Sequence, residues 1–173
     1  CLMNNAFKSI NILQIIDATR FGGAQKIAFE ISNYSQSTNN KFHFLLINRS
    51  DREHQMVKML EKSGIPFVES NTYDVRQIPS FRIAHFIEAW QGAIHFIMAI
   101  VKFNISLVHI HIYQFFYLIP LFRLLRIFNL RFIWTLHGDV NYSVAARRKI
   151  HKVLKKMKNK INCAQITQVS EHI

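Results

Sequence analysis

Alternation constrains this chain more than any other feature. Short apolar runs rich in isoleucine and phenylalanine recur between longer segments whose apolar residues fall at spacings of three and four. The pattern predicts strands over 10–16, 42–47, 65–68, 107–112, 130–136 and 165–169. It predicts helices over 23–33, 51–62, 80–103, 115–128 and 143–161. Helical spacing assigns Ala24, Ile27, Ala28, Ile31 and Tyr34 to the inner face of the first helix, and Met56, Met59 and Leu60 to that of the second. The third helix takes Ile83, Phe86, Ile87, Trp90, Ile94, Ile97 and Val101. Strand and helix in strict turn predict an α/β fold: a doubly wound, mostly parallel, Rossmann-like sheet with helices on both faces.

In such a sheet ligands gather beyond the carboxyl ends of the strands. The least ordinary stretches sit at those ends: DATRFGGA after the first strand, HIHIYQ after the fourth, LHGDVN after the fifth and QVSEH after the sixth. The chain has only five glycines, and two of them, Gly22 and Gly23, are adjacent here. A glycine pair between strand and helix either bares backbone N–H groups for a phosphate or makes a tight turn that needs positive φ. The loop lacks G-x-G-x-x-G, which argues against a nicotinamide or flavin site.

His109 and His111 stand two apart on a strand and so face one side. Such a pair can ligate a metal, but no third ligand stands nearby in sequence, so no metal is expected. His137 ends the fifth strand ahead of Gly138 and Asp139. It is placed to hydrogen-bond a sugar hydroxyl or phosphate in the cleft, or a loop carbonyl.

With 173 residues, half of them hydrophobic, the chain suffices for one domain with a real core. Two distant cysteines, Cys1 and Cys163, form no disulfide framework, which fits a reducing compartment. The first residues lack a signal-peptide layout. The longest uncharged run, 105–122, contains two histidines and a proline and divides into a strand and a helix rather than one membrane span. A net charge of +12 calls for an anionic partner. Eight Lys and Arg residues lie within 147–160, around the stripe Ile150, Val153, Leu154, Met157 and Ile161. Such a face is solvated, or it meets an anionic bilayer or a nucleic acid. The sequence carries no interleaved aromatics and no nucleic-acid-binding motif, so no nucleic acid is expected.

The ordered set GGA, LVHIH, WTLHG and ITQVSEH resembles the N-terminal half of GT-B glycosyltransferases of the family-4 type, over nearly the whole chain. The resemblance implies one Rossmann-like domain over 10–173 that holds the acceptor, with the C-terminal donor-binding half outside this chain. It implies a retaining transfer from a nucleotide-sugar, without a metal or other cofactor, to a sugar or lipid acceptor. Polysaccharide or glycolipid assembly is the implied setting. Gly22 and Gly23 would approach the donor diphosphate, and His137 would act at the transferred sugar. Gln25, His111 and Asp139 would line the acceptor side. Gln25 stands where the family usually has an acidic residue. The expected location is cytoplasmic and peripheral, at the inner face of the membrane, with Lys152, Lys155, Lys156 and Lys158 toward anionic lipid. A partner chain would supply the missing half if the two halves are separate subunits. The rival readings are a non-catalytic membrane-docking subunit and a basic nucleic-acid-binding α/β domain.

Overall fold

The computed structural model describes residues 9–17, 21–34, 39–47, 55–70, 81–111, 130–137 and 163–169. The helices expected over 115–128 and 143–161 lie outside the described residues, as do Cys1, Gly138, Asp139 and the four lysines named above. The elements run β1 (Asn11–Asp17), α1 (Gly23–Tyr34), β2 (Lys41–Ile47), α2 (Gln55–Ser63), β3 (Phe67–Glu69), α3 (Phe81–Phe103), β4 (Leu107–Ile110), β5 (Arg131–His137) and β6 (Cys163–Val169). All six strands join one sheet in the order β3-β2-β1-β4-β5-β6, and every pairing is parallel. The doubly wound α/β sheet expected from the alternation is present.

Strand β1 is the hub, paired with β2 on one side and β4 on the other. Leu13, Gln14, Ile15 and Ile16 are fully buried. A strand covered on both faces reads as an unbroken apolar run, which is why its sequence shows so little alternation. Leu13, Ile15, Leu45, Val108 and Ile110 turn to one face and pack with α3. Ile16, Phe44 and Leu46 turn to the other and pack with Ala28 of α1 and with Met56, Val57 and Leu60 of α2.

Both helices that end within the described residues stop in the same way. After α2, Gly64 takes φ 65°, its N–H bonds Glu61 O, and Ile65 N–H bonds Leu60 O. After α3, Asn104 takes φ 48°, its N–H reaches Val101 O, and Ile105 N–H bonds Ile100 O. These are Schellman closures, each sealed by an apolar pair buried in the core, Leu60 with Ile65 and Ile100 with Ile105. The Asn11 amide on β1 donates to Phe103 O at 2.9 Å and Asn104 O at 3.1 Å, covering carbonyls that α3 leaves open.

Two inner faces differ from those assigned by spacing. In α1 the buried residues are Ala28 and Ser32, while Ile31 and Tyr34 are exposed. Ser32 is tolerated inside because its hydroxyl donates to Ala28 O at 2.8 Å. In α3 the core takes Ala93, Phe96, Ala99 and Ile100, and Trp90, Ile94 and Val101 face outward. Helix α3 is apolar on more than one side, so periodicity alone did not choose between them. Two alanines on the inner side let the backbone come close to the sheet.

His43 on β2 stacks on Phe103, with centroids 4.3 Å apart and planes 17° from parallel. It is buried, and neither ring nitrogen has a hydrogen-bond partner among the described residues. Burial, and secondly the charge on Lys41, lower its pKa from 6.5. The unfolded chain therefore binds that proton more readily. This contribution to stability is intact above about pH 6.5 and is lost as pH falls toward the lowered folded value. His43→Phe keeps the stack and removes both unpaired nitrogens. It is expected to gain on the order of 1 kcal/mol, which raises the thermal midpoint by about 2–4 °C. It should also flatten the stability profile between roughly pH 7 and 5. Thermal melts across that range check both effects.

Candidate functional site

Strand order reverses between β1 and β4: β2 and β3 lie to one side of β1, and β4, β5 and β6 to the other. In doubly wound sheets such a reversal is where the loops leaving the carboxyl ends part and a ligand crevice opens. Two stretches singled out by sequence flank it. Gly22 and Gly23 follow β1, and His111 follows β4, its N–H bonded to Ile15 O at 2.9 Å. A separate cleft of about 640 Å³ lies at the opposite, amino edge, where Ser9, Lys41 and Pro66 line it, away from these residues.

Gly23 begins α1, and Gly22 stands as its cap, with Gly22 O accepting from Lys26 N–H at 3.0 Å. The Gln25 side chain turns back so that its Oε1 accepts from Gly22 N–H at 3.1 Å. This is the glutamine half of a capping box. Gly22 is not in the left-handed region, since the positive-φ glycine among the described residues is Gly64. A Cβ on Gly22 would meet only the flexible end of Gln25, at 3.4 Å. Neither backbone conformation nor internal crowding therefore demands glycine at 22, and the tight-turn reading loses its reason. Both glycines are exposed, and the opening amides of a helix, Gly23 and Ala24 here, have no intrahelical acceptors. The loop thus offers N–H groups and positive dipole to an incoming anion.

Beneath the crevice a chain of polar side chains crosses three strands. Gln14 Oε1 on β1 lies 2.6 Å from His111 Nε2. An amide oxygen only accepts, so that ring carries its proton on Nε2. His111 and His109 lie ring to ring, centroids 3.9 Å apart, and His109 Nε2 is 2.8 Å from the Thr135 hydroxyl on β5. Gln14, His111 and Thr135 are buried, and Gln14 Nε2 has no partner among the described residues. Sequence spacing put the two histidines on one face, and they are there. It missed Gln14 and Thr135. The available signal was a lone amide inside ILQII and a lone hydroxyl inside RFIWTLH.

His111 thus meets the crevice edge with its side chain engaged inward. His137 is the last residue of β5, two beyond Thr135, and pairs with Val169 of β6. Gln25 sits at the start of α1 and is engaged in the cap. Among the described residues no three His, Cys, Asp or Glu side chains gather as a metal site.

No protein-family profile matches the sequence, and no curated protein does. Solved structures do share its fold. A glycosyltransferase from Rickettsia africae ESF-5 superposes with a TM-score of 0.58 at 19% identity, over 95% of this chain and 43% of its own. MurG of Acinetobacter baumannii gives a TM-score of 0.59 at 10% identity, over 94% of this chain and 42% of its own. The glycotransferase of kitacinnamycin gives 0.51 at 9%, over 87% and 36%. The chain has the fold of one half of a GT-B glycosyltransferase. It spans less than half the length of each of these three proteins.

Gln25→Ala removes the acceptor of Gly22 N–H. It is expected to lower stability by about 0.5–1 kcal/mol, seen as a midpoint drop of about 2–4 °C at the upper end. Gln25→Glu keeps the acceptor and adds charge where the helix dipole favours it, so its melt should match or exceed that of the wild type.

Proposed function

We propose that the chain is the acceptor-side domain of a retaining, sugar-nucleotide-dependent glycosyltransferase of the family-4 type, acting in polysaccharide or glycolipid assembly. The observation that carries this reading is the likeness to less than half of each of three glycosyltransferase structures, over nearly all of this chain in two of them. The exposed glycine pair beside the strand-order reversal supports it.

In this mechanism the donor nucleotide-sugar is held chiefly by a second domain and laid across the crevice. The opening amides of α1 at Gly23 and Ala24 approach its diphosphate, which gathers negative charge as the glycosidic bond breaks. Fixed N–H donors are strongest where charge develops, and they need no reorganisation during the reaction. His137 hydrogen-bonds the transferring sugar from the end of β5. Asp139 and His111 line the acceptor side, and the Gln25 amide group lies beside the glycine loop. His111 does so through its position, since Gln14 takes its Nε2. The enzyme works at the cytoplasmic face of the membrane, held peripherally, with Lys152, Lys155, Lys156 and Lys158 toward anionic lipid.

The test uses the chain joined with its donor-binding half, whether that lies in the same polypeptide or a partner. Gly23→Val sets a branched side chain where the diphosphate approaches, and should raise the KM for donor more than for acceptor. His137→Ala should lower kcat about a hundredfold, the worth of one hydrogen bond made in the transition state. Both variants should melt near wild type. Normal donor affinity in folded Gly23→Val, together with full turnover in folded His137→Ala, would overturn the site.

Reversing charge at Lys152, Lys155, Lys156 and Lys158 should weaken binding to anionic vesicles at low salt, and added salt should do the same to wild type. Undiminished co-sedimentation of the variant would show those charges to be merely solvated.

A further inference from the structure

Strand β1 is held unevenly by its two neighbours. Among the described residues it pairs with β2 as far as Asp17↔Ile47, but with β4 as far as Ile15↔Ile110. The β4 side is the one on which strand order reverses. The last described rung there is His111 N–H to Ile15 O, at 2.9 Å. An end rung has a neighbour on one side alone, and such ends open first unless something ties them down.

The polar side chains of this region tie it diagonally. Gln14 pairs in register with His109, yet its Oε1 reaches His111 Nε2, at 2.6 Å. His109 pairs with Ile133, yet its Nε2 reaches the Thr135 hydroxyl, at 2.8 Å. Both bonds therefore lean two residues toward the carboxyl ends, and the stacked His109 and His111 rings join them. A diagonal resists sliding as well as splaying of adjacent strands, which a rung at right angles does not. Gln14, His111 and Thr135 are buried, so water competes little for these bonds. Packing does not ask for polar groups here. Leu13, Ile15 and Ile16 of β1 and Val108 and Ile110 of β4 are buried and apolar, and more of the same would avoid the cost of burying polar groups.

We propose that Gln14 is a positioning residue, the anchor of a diagonal brace through His111, His109 and Thr135 that fixes the carboxyl ends of β1, β4 and β5 relative to one another. Gln14 is fully buried, so it acts through His111 and not on a substrate. The proposal rests on the glycosyltransfer reading above and names what holds that site in shape. Strand β1 leads into Gly22, Gly23 and the opening amides of α1, and β5 ends at His137, two residues beyond Thr135. In that reading both must meet one nucleotide-sugar from different strands. A misplacement of about 1 Å between such groups costs about a hundredfold in rate.

Amide hydrogen exchange on this chain reads the brace without any sugar transfer. Gln14→Met keeps the length of the side chain and removes its oxygen. The His111 amide should then exchange at least about tenfold faster relative to the Leu13 and Leu45 amides, the worth of one buried bond. Taking the ratio cancels any change in global stability. Imidazole nitrogen NMR shifts should show His111 of the wild type protonated on Nε2. In the chain joined with its donor-binding half, Gln14→Met should lower kcat at least about tenfold and change the donor KM by less than about threefold. Gln14→Glu restores an acceptor oxygen at the same reach and should recover most of that turnover. Thr135→Val cuts the brace at β5 and should also lower kcat, which keeps the test decisive if Gln14→Met does not fold. The brace is overturned by an unchanged exchange ratio, by a His111 protonated on Nδ1 alone, or by full turnover in either folded variant, Gln14→Met or Thr135→Val. It is also overturned if Gln14→Glu loses as much turnover as Gln14→Met, because any change at that position would then do the same. If the joined enzyme transfers no sugar while the His111 exchange responds to Gln14→Met, the glycosyltransfer reading fails and the brace stands.

Discussion

Parallel pairing governs this structure. Every neighbouring strand pair is parallel, so each connection must return the full length of the sheet, and the described connections do so as helices. Such crossovers have a fixed hand. Winding from β1 out to β3 lays α1 and α2 on one face, and the jump back to β4 lays α3 on the other. The same reversal falls between β1 and β4, whose carboxyl ends are where such folds place their ligand crevice. One topological constraint thus supplies the burial of β1, the position of the candidate site and the face on which α3 lies.

The residues beneath the crevice show how a sheet interior is adapted to a polar task. A purely apolar β1 and β4 would bury more favourably than a strand pair carrying Gln14, His109 and His111. Buried polar groups cost free energy unless paired, and here three strands cooperate to pair them: Gln14 with His111, and His109 with Thr135. The two hydrogen bonds and the ring contact between them tie the carboxyl ends of β1, β4 and β5 together, two residues short of His137. Gln14 Nε2, without a partner among the described residues, is the cost left over. His43, by contrast, is a buried imidazole whose ring is held by stacking alone among the described residues, far from the crevice.

Helix α3 carries apolar residues on two sides, and only one of them serves the core. Packing selected the side with Ala93 and Ala99, which allows close approach to the sheet, together with Phe96 and Ile100, which fill the space between. The larger and more regular stripe, with Trp90 and Met98, was left outside.

The sequence by itself determined the types and order of the described elements and the parallel class of the sheet, because short apolar runs and spacings of three and four are written into neighbouring residues. It also placed Gly22–Gly23, His111 and His137 at strand ends, since position within an element follows from the element's bounds. Only the tertiary structure decided three further things. It showed that Gly22 needs neither positive φ nor internal space to be glycine, which local spacing does not reveal. It joined Gln14 to His111 across 97 residues, and His109 to Thr135 across 26. It chose which side of α3 and of α1 turns inward, because a helix apolar on several sides has no preferred face until a sheet of particular shape is packed against it.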